Sequence, residues 1–302
     1  VHVGIATQTD NGLMVPVVRH AESLDLYEIS DEIRRVSTAA REGKATKDEL
    51  KGSSITITSL GKMGGIVTTP VINAPEVAII GVRRVIAERM QSAKMEIPHF
   101  AYVEELDITE LEGLRKHLND KKEAAERLTL LPFLALALIR ALREFPQCNV
   151  THDKDRNLLL QHDAVHLGIA TQTPDGLKVP VIRHAEMLSL DGLASEIKRL
   201  SEAARTNKAT RSELSGSTIT ITSLGKLGGI ASTPVINAPE VGIIGVNRAV
   251  ERPVVFNGQV AVRLMMNLSS SFDHRFVDGY DAAAMIQRIK EMLEHPATIF
   301  LN

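Results

Sequence analysis

From Val85 to Met95 apolar positions recur at helical spacing. They give way to "IPHFAYVEELDI" (Ile97–Ile108), aromatic and branched residues bounded by Pro98, which predicts a strand. Thr109 and Glu112 make a capping-box pattern that opens a charged helix. Leu131–Phe145 is apolar nearly all round, a buried helix that stops at Pro146. "VHLGIA" and "LKVPVI" predict short strands around the turn Pro174-Asp175-Gly176. An amphipathic helix follows over Leu188–Ala204, and Thr210 with Glu213 caps a short helix. Ser217–Ser223 alternates cleanly and predicts a strand, and "PEVGIIGV" and "RLMMNLSSSFDH" predict two more. Asp278–Leu293 places Ala282, Met285, Ile286, Ile289 and Leu293 on one helix face. Several strands follow one another without helices between them, which predicts an α/β sandwich with a mixed sheet rather than a doubly wound parallel fold.

The same pattern occurs twice. Val1–Val82 aligns without a gap to Val165–Val246, with about seven positions in ten identical. "GIATQT", "RHAE", "ITITSLGK" and "TPVINAPEV" recur intact, and the Thr210/Glu213 cap has its counterpart at Thr46 and Glu49. The differences gather in Ser23–Lys51 and Met187–Ser215, as exposed helix faces allow. One long unit copied once is not a solenoid, which needs three or more short ones. The flanks differ: the first copy runs straight into "GVRRVIAERM", the second into "GVNRAVERPVV". The expected organisation is a partial duplicate, 1–82, followed by a complete domain, 83–302; two tandem domains are the alternative.

Composition narrows the function. A formal net charge of −2 gives no electrostatic case for nucleic acid or an anionic membrane as partner. The one cysteine, Cys148, leaves neither an intrachain disulfide framework nor a Cys-rich zinc site, and fits a reducing cytosol. No apolar run approaches a membrane span, and the first residues lack the basic and apolar regions of a signal peptide. A cytoplasmic location and no metal are the expectation. The glycines of "SLGKLGG" do not make a dinucleotide fingerprint.

One motif occurs once only, "SFDHRFVDG" (Ser271–Gly279). A strand is expected to end at His274 and a helix to begin near Asp278, so His274 sits on a strand-to-helix turn where a side chain can face a cleft. Asp273 and Arg275 flank it with opposite charges, and Asp278 is placed to cap the helix. The other nine histidines, His20, His99 and His184 among them, are expected to be structural.

"DHRFVDG" resembles the His-x-x-x-Asp-Gly signature of acyltransferases similar to chloramphenicol acetyltransferase. "RRVIAERM", "IPHF" followed by "EELD", "TITSLGKLGG", "TPVINAPEV" and "LSSSFDHR" resemble, in order, the catalytic domain of dihydrolipoamide acyltransferases, the E2 cores of 2-oxo acid dehydrogenase complexes. "NLSSSFDHR", "GIATQ" and "RPVV" look most like the bacterial branched-chain type. The resemblance implies a chloramphenicol-acetyltransferase-like two-layer sandwich. It also implies acyl transfer between the thiol of a dihydrolipoyl arm and that of coenzyme A. By it, His274 is the general base and Thr222, where relatives usually carry Ser, donates to the oxyanion. Asp278 orients the site and Arg275 pairs with a carboxylate to fix the turn. Ser92, Gln172 and Ser223 fall where the family contacts coenzyme A.

The family also implies a homotrimer with each site shared between neighbours, and a cubic or icosahedral assembly through an apolar tail, here Ala297–Asn302. Lipoyl domains and the E1 and E3 components are the implied partners. No lipoyl domain or Ala/Pro linker is recognised, so the lipoyl group is expected from another domain or chain. The first copy repeats the hydroxyl loop, Thr58-Ser59-Leu60-Gly61, without a histidine. It is expected either to replace Val165–Val246 of a neighbouring chain or to be a loosely attached product of recombination. Two other functions stay open: a cage module with impaired catalysis, and a small-molecule acetyltransferase, whose motif more often reads His-His where this chain has Asp273-His274.

Overall fold

The computed structural model describes residues 1–10, 12–58 and 82–301, with the backbone alone at 82–87 and 226. The chain divides into two units, Val1–Ile80 and Gly81–Asn302. The first contains β1 (Val3–Ile5), β2 (Thr7–Thr9), β3 (Gly12–Met14), β4 (Val17–Val18), α1 (Leu26–Arg41) and β5 (Ile55–Ile57). β1 pairs antiparallel with β4 and parallel with β5, and β2 pairs with β3. Helix α1 starts where Asp25 and Glu28 cap each other's backbone N–H groups. It buries Val36 and Ala40, one turn apart on its inner face.

The second unit opens with α2 (Val82–Glu96), β6 (His99–Asp107), α3 (Thr109–Asn119) and α4 (Leu131–Glu144). It continues with the hairpin β7 (Val150–Asp153) and β8 (Leu158–Gln161), then β9 (Leu167–Thr173), β10 (Gly176–Lys178), β11 (Val181–Ile182) and α5 (Leu190–Arg205). β12 (Ile219–Ser223), β13 (Gly242–Val246), β14 (Val250–Phe256), β15 (Gln259–Asp273) and α6 (Gly279–Glu294) complete it. Eight strands form one mixed sheet in the order β10-β9-β12-β13-β15-β14, with β11 also on β9 and β6 on β15. β9, β12 and β13 are parallel, and β15 runs antiparallel to β13, β14 and β6. Helices α4, α5 and α6 share one continuous core with the sheet, through Phe133, Leu138, Leu193, Ile219, Leu268 and Met285. This is the expected two-layer α/β sandwich.

The Thr109–Glu112 capping box does not form. Thr109 is already helical, and the carboxylate of Asp107 accepts from its N–H at 3.0 Å and its hydroxyl at 2.6 Å. Two hairpins escape the apolar pattern. β7–β8 turns through Asn157 at φ 52°, and β14–β15 through Asn257 and Gly258 at φ 49° and 78°. The second turn is the Asn-Gly pair that favours two left-handed residues in a tight hairpin. No helix among the described residues is long and apolar enough to cross a membrane.

Candidate active site

His274 sits one residue beyond β15, and its side chain is exposed. The turn beneath it is built on Asp273, which is buried. The backbone C=O of Asp273 accepts from the N–H groups of Phe276 and Val277, both at 3.0 Å. Its carboxylate accepts from Arg275 in a two-pronged contact, Nε to Oδ1 at 2.9 Å and Nη2 to Oδ2 at 2.7 Å. That pairing neutralises the buried carboxylate and holds the Arg275 guanidinium firmly charged. Asp278 is the N-cap of α6 and accepts from the Asp281 N–H at 2.8 Å.

The neighbouring strand holds the same turn. His274 donates its backbone N–H to the Pro98 C=O at 3.1 Å, and its imidazole lies 4.4 Å from the Phe100 ring, centroid to centroid. Between them, His99 is directly opposite Asp273 in the β6–β15 ladder. The His99 Nε2 accepts from the Ile236 N–H at 3.0 Å, so its proton sits on Nδ1, which donates to the Ile97 C=O at 2.8 Å. Partial burial lowers the His99 pKa and keeps the ring neutral.

Thr222 and His274 lie at opposite ends of the sheet. Thr222 on β12 is level with Gly245 on β13, which is level with Ser269 on β15. His274 is five positions beyond Ser269, away from the Thr222 end. At about 3.3 Å per residue and two strand spacings, the two residues are on the order of 20 Å apart within one chain. Gln172 and Ser223 belong to the Thr222 end, since Ala170 is level with Thr222. There Gln172 donates to the Thr173 C=O at 3.2 Å, and the Ser223 hydroxyl accepts from the Gly225 N–H at 3.2 Å. Ser92 belongs to the His274 end, where its hydroxyl donates to Glu96, itself paired with Lys154. The six candidates thus divide into two groups of three. In the first copy, Ser59, Leu60 and Gly61 of the corresponding loop lie outside the described residues.

A cavity of about 850 Å³ opens at the His274 end, lined by Arg89, Ser92, Lys154, Glu240 and Arg275 among others. Glu240 on its wall is 1% exposed. Its Oε1 accepts from Ser217, from Thr220 at 2.8 Å and from Asn237 at 2.7 Å, while Oε2 is buried with no partner among the described residues. Burial pushes its pKa up to about 7. A carboxyl inside the apolar run "INAPEVGII" is the signal that marks it, and the sequence reading passed over it. Cys148 is fully buried with its pKa pushed up to about 12, so it supplies no thiolate nucleophile near neutral pH.

A sequence model described as 2-oxoacid dehydrogenases acyltransferase (catalytic domain) matches residues 1–85 and again 80–301. The lipoamide acyltransferase component of the branched-chain alpha-keto acid dehydrogenase complex of Pseudomonas aeruginosa is 62% identical over 227 residues, 75% of this chain and 53% of that protein. Its counterpart from Pseudomonas putida is 61% identical over 231 residues, 76% and 55% of the two chains. The chain therefore spans about half the length of these curated relatives. Among solved structures, the Azotobacter vinelandii dihydrolipoamide acetyltransferase aligns with a TM-score of 0.69 at 37% identity, over 78% of this chain and all of that one. That work concerns the catalytic roles of a serine, a histidine and an asparagine. The cubic core of a pyruvate dehydrogenase multienzyme complex aligns with the same score, identity and coverage.

Proposed function

Because the chain belongs to the family of 2-oxoacid dehydrogenase acyltransferase catalytic domains, we propose that it transfers an acyl group between a dihydrolipoyl thiol and coenzyme A. A free thiol has a pKa of about 8.5 and a free imidazole about 6.5, a mismatch of about 2.7 kcal/mol that positioning must supply. His274 takes the proton as sulfur attacks the thioester carbonyl and returns it to the departing thiol. The hydroxyl of Thr222 donates to the tetrahedral oxyanion. Asp278 orients the turn through its cap on α6. Ser92, Gln172 and Ser223 contact coenzyme A, and the lipoyl group arrives on another domain or chain.

The observation that carries this reading is the exposed imidazole of His274 on a turn held from both sides. The sheet register adds a second requirement. With His274 and Thr222 some 20 Å apart in one chain, a complete site takes His274 from one protomer and Thr222 from another. A homotrimer satisfies this, and assembly of trimers into a cubic or icosahedral core with E1 and E3 components follows from the same reading. Phe300 and Leu301, 46% and 66% exposed, are available for contacts between trimers. The acyl group is branched-chain, supported by the 62% identity to the Pseudomonas aeruginosa component, and the location is cytoplasmic. Residues 83–302 form the complete catalytic domain and 1–82 a partial duplicate, in keeping with the two family matches.

A panel of acetyl-, isobutyryl- and succinyl-coenzyme A with dihydrolipoamide tests the reading. Isobutyryl transfer is expected to be fastest and to depend on His274. Turnover that survives His274→Ala, or an absence of transfer from all three donors, would sink it.

A further inference from the structure

We propose that His99 is a positioning residue for His274, a role that rests on the acyl-transfer reading above. His274 is anchored to β6 and its lead-in by the bond from its N–H to the Pro98 C=O and by the face of Phe100. Both anchors are chain neighbours of His99. Strand β6 begins at His99, so the ladder alone does not fix the residue before it. His99 fixes it. Its Nδ1–H closes back on the Ile97 C=O, setting the backbone around Pro98, and its Nε2 holds the Ile236 N–H of the loop before β13.

That loop is anchored independently. Asn237 donates to Glu240, which also accepts from Ser217 and Thr220 at the start of β12, and the Val241 C=O accepts from the Asp273 N–H at 2.9 Å. The imidazole of His99 therefore joins two supports of the turn, Pro98 on one side and the β13 loop on the other. Each nitrogen is saturated, one as donor and one as acceptor, which only a neutral imidazole with its proton on Nδ1 can do here. An apolar side chain in its place leaves the Ile236 N–H without this partner and the Ile97 C=O with the backbone N–H of residue 99 alone, at 2.8 Å, and cuts the tie between the Pro98 segment and the β13 loop. A displacement of 1 Å at a reacting group costs about 10²-fold in rate.

The test uses the full chain with His99→Leu, His99→Asn and His99→Gln, assayed with isobutyryl-coenzyme A and dihydrolipoamide. Leu removes both hydrogen bonds. Asn keeps a donor near Nδ1 but does not reach Ile236, whereas the Gln side-chain oxygen restores an acceptor where Nε2 lies. His99→Leu and His99→Asn are expected to lower kcat about 10- to 100-fold with KM for both substrates within about twofold. His99→Gln is expected to recover to within about fivefold of wild type.

The rate at which diethyl pyrocarbonate modifies His274, followed by peptide mass spectrometry, should rise severalfold in the Leu and Asn proteins and not in Gln. If Leu fails to fold, the Asn and Gln proteins carry the comparison. An unchanged kcat in folded Leu or Asn protein, a loss confined to KM, or Gln no better than Asn overturns the proposal. Inactive wild type overturns the acyl-transfer reading instead, and the modification rates still decide the role of His99.

Discussion

Val1–Ile80 and its counterpart in the second unit are nearly the same sequence in two different settings. Their helices have identical extents, α1 over Leu26–Arg41 and α5 over Leu190–Arg205, offset by the same 164 positions that separate the copies. The buried faces correspond too: Val36 and Ala40 match Leu200 and Ala204. Even the histidine pairs repeat, His2 edge-on to His20 at 4.7 Å and His166 to His184 at 4.9 Å. The strand pairings repeat in register as well, β1 with β4 and β5 as β9 with β11 and β12, and β2 with β3 as β9 with β10, but the burial does not. Ile219 and Ile221 are 0% and 1% exposed between β9 and β13, whereas Ile55 and Ile57 are 57% and 56% exposed. The segment Leu167–Thr173 is one strand, and its copy is broken into β1 and β2. Local signals, caps and helical spacing travel with a fragment. Burial of its strands needs α4, α6 and β15, which only the second unit has.

The sharpest way to break this comparison is at the motif that occurs once. His274→Ala is expected to lower kcat/KM by about 10²–10⁴-fold, because the first unit has no histidine to take its place. Next, Thr222→Val should cost about 10²–10³-fold while Thr58→Val leaves the rate within about twofold. Equal losses at the two threonines would mean that the first unit occupies the site of a neighbouring chain. In stability, Ile221→Ala should cost about 2–5 kcal/mol by urea denaturation and Ile57→Ala less than about 0.5 kcal/mol.

Glu240 gives a finer test. Its pKa of about 7 in the fold lies above the ordinary carboxylate value of 4.5, so its contribution is full below about 4.5 and is lost as pH rises through 7. Glu240→Gln should remove that decline, on the order of 3 kcal/mol at most, between urea unfolding curves at pH 5 and pH 8. The smallest effect is expected from removing residues 1–80 by limited proteolysis, with activity within about twofold of the intact chain.

Much of the second unit was legible. Ser217–Ser223 and the helix after Asp278 follow from period and cap, and the motif around His274 announced its turn because a strand pattern ended where a helix began. What escaped were relations between distant segments. β8 and β14 are exposed almost throughout, with no buried face to impose alternation, and β7 buries only its first two residues, Val150 and Thr151; Leu158 and Val255 stand half or more in solvent. The Asn-Gly turn at Asn257 was a signal available and not used. His99 read as an ordinary core histidine because its two partners are backbone groups, one of them in a loop 137 residues away. The grouping of Thr222 with Gln172 and of His274 with Ser92 follows from strand register, which no local pattern encodes.

Under the proposed function, the distance between Thr222 and His274 makes activity a property of mixtures. A chain lacking the imidazole and a chain lacking the hydroxyl are each expected to be impaired alone, yet co-assembled in equal amounts to rebuild about one quarter of the intact clefts. In that arrangement each chain lends its imidazole to one cleft and its hydroxyl to another, so a chain lacking one group spoils one cleft and a chain lacking both spoils two.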